Sequence, residues 1–299
     1  MIYFCADDYG MTNETCNRIE NCIKNGALNK VSVLPNGEIK NFKERLCESG
    51  AEIALHINLV EGFPLSNPDE VWLLTDKNKT FRYSFIGLLL LSIGAKRKEA
   101  EKQIYTEIKN QISFWRENVG FDRKILIDSH QHTHMIPLIF KTLMKVIKEE
   151  GVEVEYLRIP REPVRLYLSE PSLYFTYRPV NIIKQWLLNF FTFLNKQEIK
   201  KSGIDCAYFM GVLFSGKMDE NRVRKLIGKY IKLAEKNNKN IELAFHPGYM
   251  QEGEQLPEEI RKGFEKFYYS PWRVTEYNAL KGLKEYKTYM KEGKINALH

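Results

Sequence analysis

Cysteine is scarce in this chain and builds no framework. Cys5, Cys16, Cys22, Cys47 and Cys206 are odd in number and never fall into CxxC spacing. Disulfide scaffolds are disfavoured, and the thiols are expected as reduced core residues of a cytoplasmic protein. Long apolar runs are missing too. The stretches 85–93 and 182–194 fall short of the roughly 20 residues that a membrane-spanning helix requires. The second is also broken by Lys184 and Gln185, so no membrane span is expected. No basic-then-apolar leader precedes the first strand, and no secretion signal is expected. The sequence has no GxSxG, no P-loop and no strand-linked GxGxxG, which counts against serine hydrolases, nucleotide hydrolases and dinucleotide enzymes. Repeats, low-complexity tracts and convincing linkers are absent as well.

What remains is an ordinary globular composition: 299 residues, 43% hydrophobic and 28% charged, with room for a sizeable core. The net charge of +7 comes mostly from lysines scattered over predicted helix faces. No RNA- or DNA-binding signature accompanies it, so no nucleic-acid partner is expected.

Strand and helix patterns alternate along the chain. Apolar runs at 2–6, 31–34, 52–55, 125–127, 152–159, 206–209 and 241–245 read as strands. Helical spacing links Cys16, Ile19 and Ile23, with Gly26 as a cap. It returns at 42–49, at Ile104, Ile108, Ile112 and Trp115, at 136–147, at 223–234 and within 272–291. Periodicity is poor near 63–100, which is expected as a lid-like loop with a short helix at 84–93. The stretch near 163–203 is expected as a helical insertion. Its Trp186, Phe190, Phe191 and Phe193 are expected in core or subunit contacts, and a homodimer is compatible with them. About seven parallel strands joined by helices predict one irregular β/α barrel of the TIM type, spanning residues 1–299.

The polar residues mark its mouth. Asp7-Asp8, His56, the run Asp128-Ser129-His130-Gln131-His132-Thr133-His134, Arg158 and His246 each follow an apolar strand. In a β/α barrel those strand ends converge, so residues distant in sequence meet. Two histidines and a carboxylate there would form a three-point divalent site with positions open to water and substrate. One carboxylate of the Asp7-Asp8 pair would then be free as general base. His246, on a separate strand, is the natural proton donor.

Ala6-Asp7-Asp8-Tyr9-Gly10, the stretch from Leu55 to Gly62, the DSHxHxH run and His246-Pro247-Gly248 together resemble the YdjC-like carbohydrate deacetylase family. The resemblance implies a barrel enzyme that removes acetyl groups from N-acetylated mono- or oligosaccharides with a divalent metal, described as magnesium. It implies Asp8, His56 and His130 as metal ligands, Asp7 as base and His246 as acid. His132, His134, Arg158 and Glu61 would touch substrate or support the ligands, with His130 alone drawn from the three-histidine run. Two imidazoles and a carboxylate suit zinc or another transition metal better than magnesium. The same barrel also accommodates a glycoside hydrolase, another metal hydrolase or a catalytically silent sugar-binding protein.

Overall fold

Strand β1 (Ile2–Tyr9) is buried along nearly its whole length, as a central parallel strand must be. The computed structural model describes residues 1–46, 48–259 and 265–291, with side chains as far as Lys287. Cys47 and His299 lie outside them. After β1 come α1 (Asn13–Asn25), β2 (Lys30–Val33), α2 (Phe42–Leu46) and β3 (Glu52–Ile57). Helices α3 (Phe85–Ile93) and α4 (Arg97–Val119) precede β4 (Ile125–Ser129), α5 (Pro137–Glu149) and β5 (Val154–Leu157). The insertion holds α6 (Val164–Leu168), α7 (Pro179–Leu194) and α8 (Lys196–Ser202). Strand β6 (Tyr208–Met210), α9 (Glu220–Asn237) and β7 (Ile241–Phe245) follow, then α10 (Glu265–Tyr268), α11 (Pro271–Gly282) and α12 (Lys284–Lys291).

All seven strands pair in parallel, in the order β5-β4-β3-β2-β1-β7-β6. The two edges nearly meet. Tyr156 of β5 bridges Asp205, just before β6, and the Leu157 N–H donates to the Asp205 carbonyl at 3.0 Å. The sheet is therefore a curled, almost closed barrel, as the alternating pattern predicts. Its strands run shorter than the apolar stretches suggest at β5 and β6, and the helix expected within 272–291 is split into α11 and α12.

Local chemistry explains the helix ends. Thr12 and Thr15 form a reciprocal capping box at the start of α1, and Gly26 closes it. Gly26 is extended rather than left-handed, and glycine is required by crowding: a Cβ there would lie 2.7 Å from the Leu280 carbonyl. The stretch expected as a lid is strapped onto α4. Glu107 accepts from the Leu65 and Ser66 N–H groups at 3.0 Å, and Gln103 accepts from Leu73 N–H at 2.8 Å. Its order comes from a buried polar stripe on another helix, so its own periodicity carries little signal.

Cys5, Cys16 and Cys22 are buried free thiols and Cys206 is half-buried. The four aromatics of α7 divide. Phe191 is buried, whereas Trp186, Phe190 and Phe193 are exposed, so of the expected core or subunit contacts only Phe191 makes a core contact within the chain.

The barrel interior is charged. Lys30 Nζ lies 3.0 Å from Glu242, and the Arg158 guanidinium contacts Glu242 at 2.9 Å. Tyr156 also donates to Glu242. Buried ions persist only when paired and hydrogen-bonded, and each of these is.

Candidate metal centre at the barrel mouth

Backbone geometry at the end of β1 separates its two aspartates. The pairing register shifts between Ala6 and Tyr9, and Asp8 takes a left-handed φ of 65°. Asp7 is thereby directed at Arg158, which donates to both its oxygens at 2.7 and 2.8 Å. Asp8 is directed at the histidines. His130 Nδ1 stands 2.9 Å and His56 Nε2 3.6 Å from Asp8 Oδ1.

His56 is aimed from behind. Its Nδ1 donates to Asp128 Oδ1 at 2.5 Å, and Asp128 is held by Ser32 and Arg158. This carboxylate–imidazole pairing fixes the ring and leaves Nε2 facing Asp8. His130 Nε2 lies 3.1 Å from Glu61, off the angle of a hydrogen bond. Glu61 is itself fixed by the Tyr268 hydroxyl at 2.8 Å.

Asp8, His56 and His130 are all buried, and one donor atom from each lies within 4.8 Å of the others. The Nε2 atoms of both histidines lack a hydrogen-bond partner. Buried nitrogens without a hydrogen bond, beside a carboxylate, are donors that a divalent ion would satisfy. Among the described residues two other buried groupings have similar span, Asp7–His56–Asp128 and Cys5–Asp128–Glu242. Both already surround a cation, since Arg158 contacts Asp7, Asp128, Glu242 and Cys5.

Charge balance points the same way. In the connected network, the carboxylates Asp7, Asp8, Glu61, Asp128 and Glu242 face three fixed cations, Lys30, Arg158 and Arg273. The carboxylates outnumber these cations, so the cluster is strongly electronegative toward its imidazoles. The imidazoles respond accordingly. Burial opposes protonation of His56, but Asp128 outweighs it and lifts the pKa to about 9. At His130 burial is likewise overcome by Glu61 and Asp8, which lift it to about 10. Burial would raise Asp8, yet His130 and Arg273 hold its carboxyl well below the ordinary range. The donor set fits a divalent ion.

The remaining histidines part company. Gln131 and His132 are consecutive left-handed residues, at φ 54° and 59°, so the His130–Met135 turn is not a regular helix. His134 consequently folds back beneath the site. Its Nδ1 is 2.5 Å from Ser129 Oγ and its Nε2 2.7 Å from the Arg158 carbonyl, and burial lowers its pKa to about 4. Buried His132 packs edge-on against Phe209 with Nδ1 unpartnered, and burial together with Lys184 holds its pKa well below the usual value. His246 is partly exposed. Its Nδ1 lies 3.4 Å from buried Glu276, and the ring packs edge-on to Phe267.

Several members of the site escape sequence inspection. Arg273, on α11, donates to Asp8 Oδ2 at 2.6 Å and to the Gly248 carbonyl at 2.9 Å. It is wedged against Phe267 and Tyr268. Glu276 and Glu242 were equally invisible, each a single acid in an otherwise unremarked element. Only Asp128 carried a signal, since it opens the histidine run.

The fold and site thus define a β/α-barrel protein with a buried carboxylate–imidazole cluster, of a composition that could hold a divalent ion, at the C-terminal ends of its strands. The family model described as YdjC-like protein matches residues 1–291, and the chain belongs to that family. It is 27% identical over 159 residues to a carbohydrate deacetylase of Danio rerio, covering 53% of this chain and 49% of that one. It is also 27% identical over 161 residues to a chitooligosaccharide deacetylase of Escherichia fergusonii, covering 53% and 59%. The matched stretch thus spans about half the length of these relatives. A solved structure described as a putative cellobiose-phosphate cleavage protein from Enterococcus faecalis superposes with a TM-score of 0.66. It is 16% identical and the match covers 98% of this chain and 94% of that one, a likeness of fold.

Proposed function

We propose that this protein is a metal-dependent carbohydrate deacetylase, hydrolysing the acetamido group of an N-acetylated mono- or oligosaccharide. The observation that carries the reading is the Asp8–His56–His130 cluster with its two unpartnered imidazole nitrogens. The deacetylase relatives support the reaction class. A dication held by these three residues would act as a Lewis acid toward the acetamide carbonyl and the attacking water. Two nitrogen donors and one oxygen suit zinc or another transition metal better than magnesium.

Asp7 is the general base. Arg158 holds both its oxygens, which fixes the carboxylate beside the cluster and leaves a lone pair for the proton of water. His246 is the general acid, protonating the departing amine, with Glu276 behind it. His132 and Glu61 face substrate or steady His130, while His134 stays structural. The cleft beside Glu61 is lined by Asn36, Glu38, Asn58 and Glu259, groups that bind sugar hydroxyls. The buried free thiols suit a reducing compartment such as the cytoplasm.

The test is acetate release from N-acetylated mono- and disaccharides by metal-stripped protein reloaded with magnesium, zinc, manganese or cobalt. Release without cleavage of the sugar chain is expected. Chain cleavage, or no acetate with any metal, would sink the proposal.

A further inference from the structure

Helix α7 is built inside out. Its buried positions are Asn181, Gln185, Leu188, Phe191 and Thr192, three of them polar. Asn181 donates to the carbonyls of Leu213 and Ser215, both at 3.1 Å, and Asn195 just beyond the helix donates to the Met135 carbonyl at 2.9 Å. The outward stripe is apolar: Ile183 is 69% exposed, Trp186 70%, Phe190 54% and Phe193 69%. Those positions share one helical face. A helix bathed in water carries the opposite arrangement.

Helix α3 extends the surface. Phe85 stacks on Phe191 with ring centroids 6.3 Å apart, and Ile86, Leu90 and Ile93 form a second stripe, 54%, 60% and 74% exposed. Among the described residues nothing packs over either stripe. A two-helix patch of large apolar side chains exceeds what a monomer ordinarily leaves in solvent.

The rim decides the partner. Neither helix contains an acidic residue. Exposed Lys96, Arg97 and Lys98 follow α3, and exposed Arg178 and Lys196 flank α7. Nearby Glu99 accepts from Gln103, and Glu198 pairs with Lys201. An isologous dimer through this face would set one basic rim against another. An anionic lipid surface complements both features, with aromatic and aliphatic side chains in the acyl boundary and lysines and arginines at the headgroups. Neither helix is long and apolar enough to cross.

We propose that the α3–α7 face docks the protein on an anionic membrane surface, the two helices lying in its plane. Both helices lie in connections that follow the C-terminal ends of strands, β3 and β5, and both pack on the His130–Met135 turn. Docking therefore brings the barrel mouth to the bilayer surface.

The full chain is floated with phosphatidylcholine vesicles, with and without phosphatidylglycerol. Binding about tenfold stronger to the anionic vesicles is expected, falling as salt rises. Trp186→Glu and Phe190→Glu should each remove about tenfold or more of that binding, with melting temperature and metal content unchanged. Absence of flotation, or flotation indifferent to both variants, overturns the proposal. So does light scattering that finds a dimer dissociated by the same variants, which would assign the face to a second copy.

Discussion

Arg273 donates to Asp8 Oδ2 at 2.6 Å across 265 positions of sequence. The same guanidinium holds the Gly248 carbonyl, so α11 pins the carboxylate of β1 from the far end of the chain. One oxygen of Asp8 is thereby spent, and the other is left toward His56 and His130. Arg273→Lys keeps the charge but loses the two-pronged grip. Metal affinity should fall about 10- to 100-fold, as for other groups that orient a ligand. Titration calorimetry with zinc checks it; an unchanged affinity would show that Asp8 needs no clamp.

His130 and His134 stand four positions apart but face different partners, Asp8 for the first and Ser129 with the Arg158 carbonyl for the second. His130→Ala should abolish stoichiometric metal binding. His134→Ala should leave metal content intact and destabilise the fold by about 1–3 kcal/mol, because the Arg158 carbonyl and Ser129 hydroxyl lose a buried partner. Metal analysis and urea denaturation of both variants separate the roles. Loss of metal from the His134 variant would reverse the assignment.

If His246 is the acid, His246→Gln should lower kcat about 10²- to 10⁴-fold while leaving metal content unchanged. Glu276→Gln should give a smaller loss, since Glu276 contacts His246 rather than substrate. It also accepts from the Met218 and His246 N–H groups, so its stability must be measured alongside. Equal kcat in His246→Gln and wild type would remove His246 from the reaction.

Acid should unfold the protein in two stages. Burial lowers His134 to about 4, below the ordinary 6.5, so the unfolded chain takes up that proton first. Its contribution, roughly 3 kcal/mol at most, is present above pH 6.5 and lost as pH falls to about 4. Burial would raise Glu242, but Arg158 and Lys30 hold it at about 2 against an ordinary 4.5. That stability is present above pH 4.5 and lost between there and about pH 2. Glu242→Gln should shrink the second stage, which Asp128, also held at about 2, shares, and should destabilise the protein by about 3–5 kcal/mol at neutral pH, leaving Lys30 and Arg158 underpaired. Urea midpoints measured from pH 7 to about 2 report both.

The order of elements was legible because apolar runs and helical spacing are local. So was the mouth, because β1, β3, β4 and β7 run straight into Asp7-Asp8, His56, Asp128 and His246. The strap over α4 was not, since Glu107 and Gln103 organise residues some thirty to forty positions away. Which of the α7 aromatics would be buried within the chain was illegible for a related reason. Aromatic content predicts burial only where the opposite face is polar and wet, and here the polar face points inward.

The sequence by itself determined the barrel and the strand-end residues brought to its mouth, because strand ends in a parallel barrel must converge. Tertiary structure alone decided their arrangement: the left-handed backbone at Asp8 that parts it from Asp7, the Asp128 behind His56, and the Arg273 that closes on Asp8. Those relations depend on distances between side chains remote in sequence, and no periodicity encodes a distance.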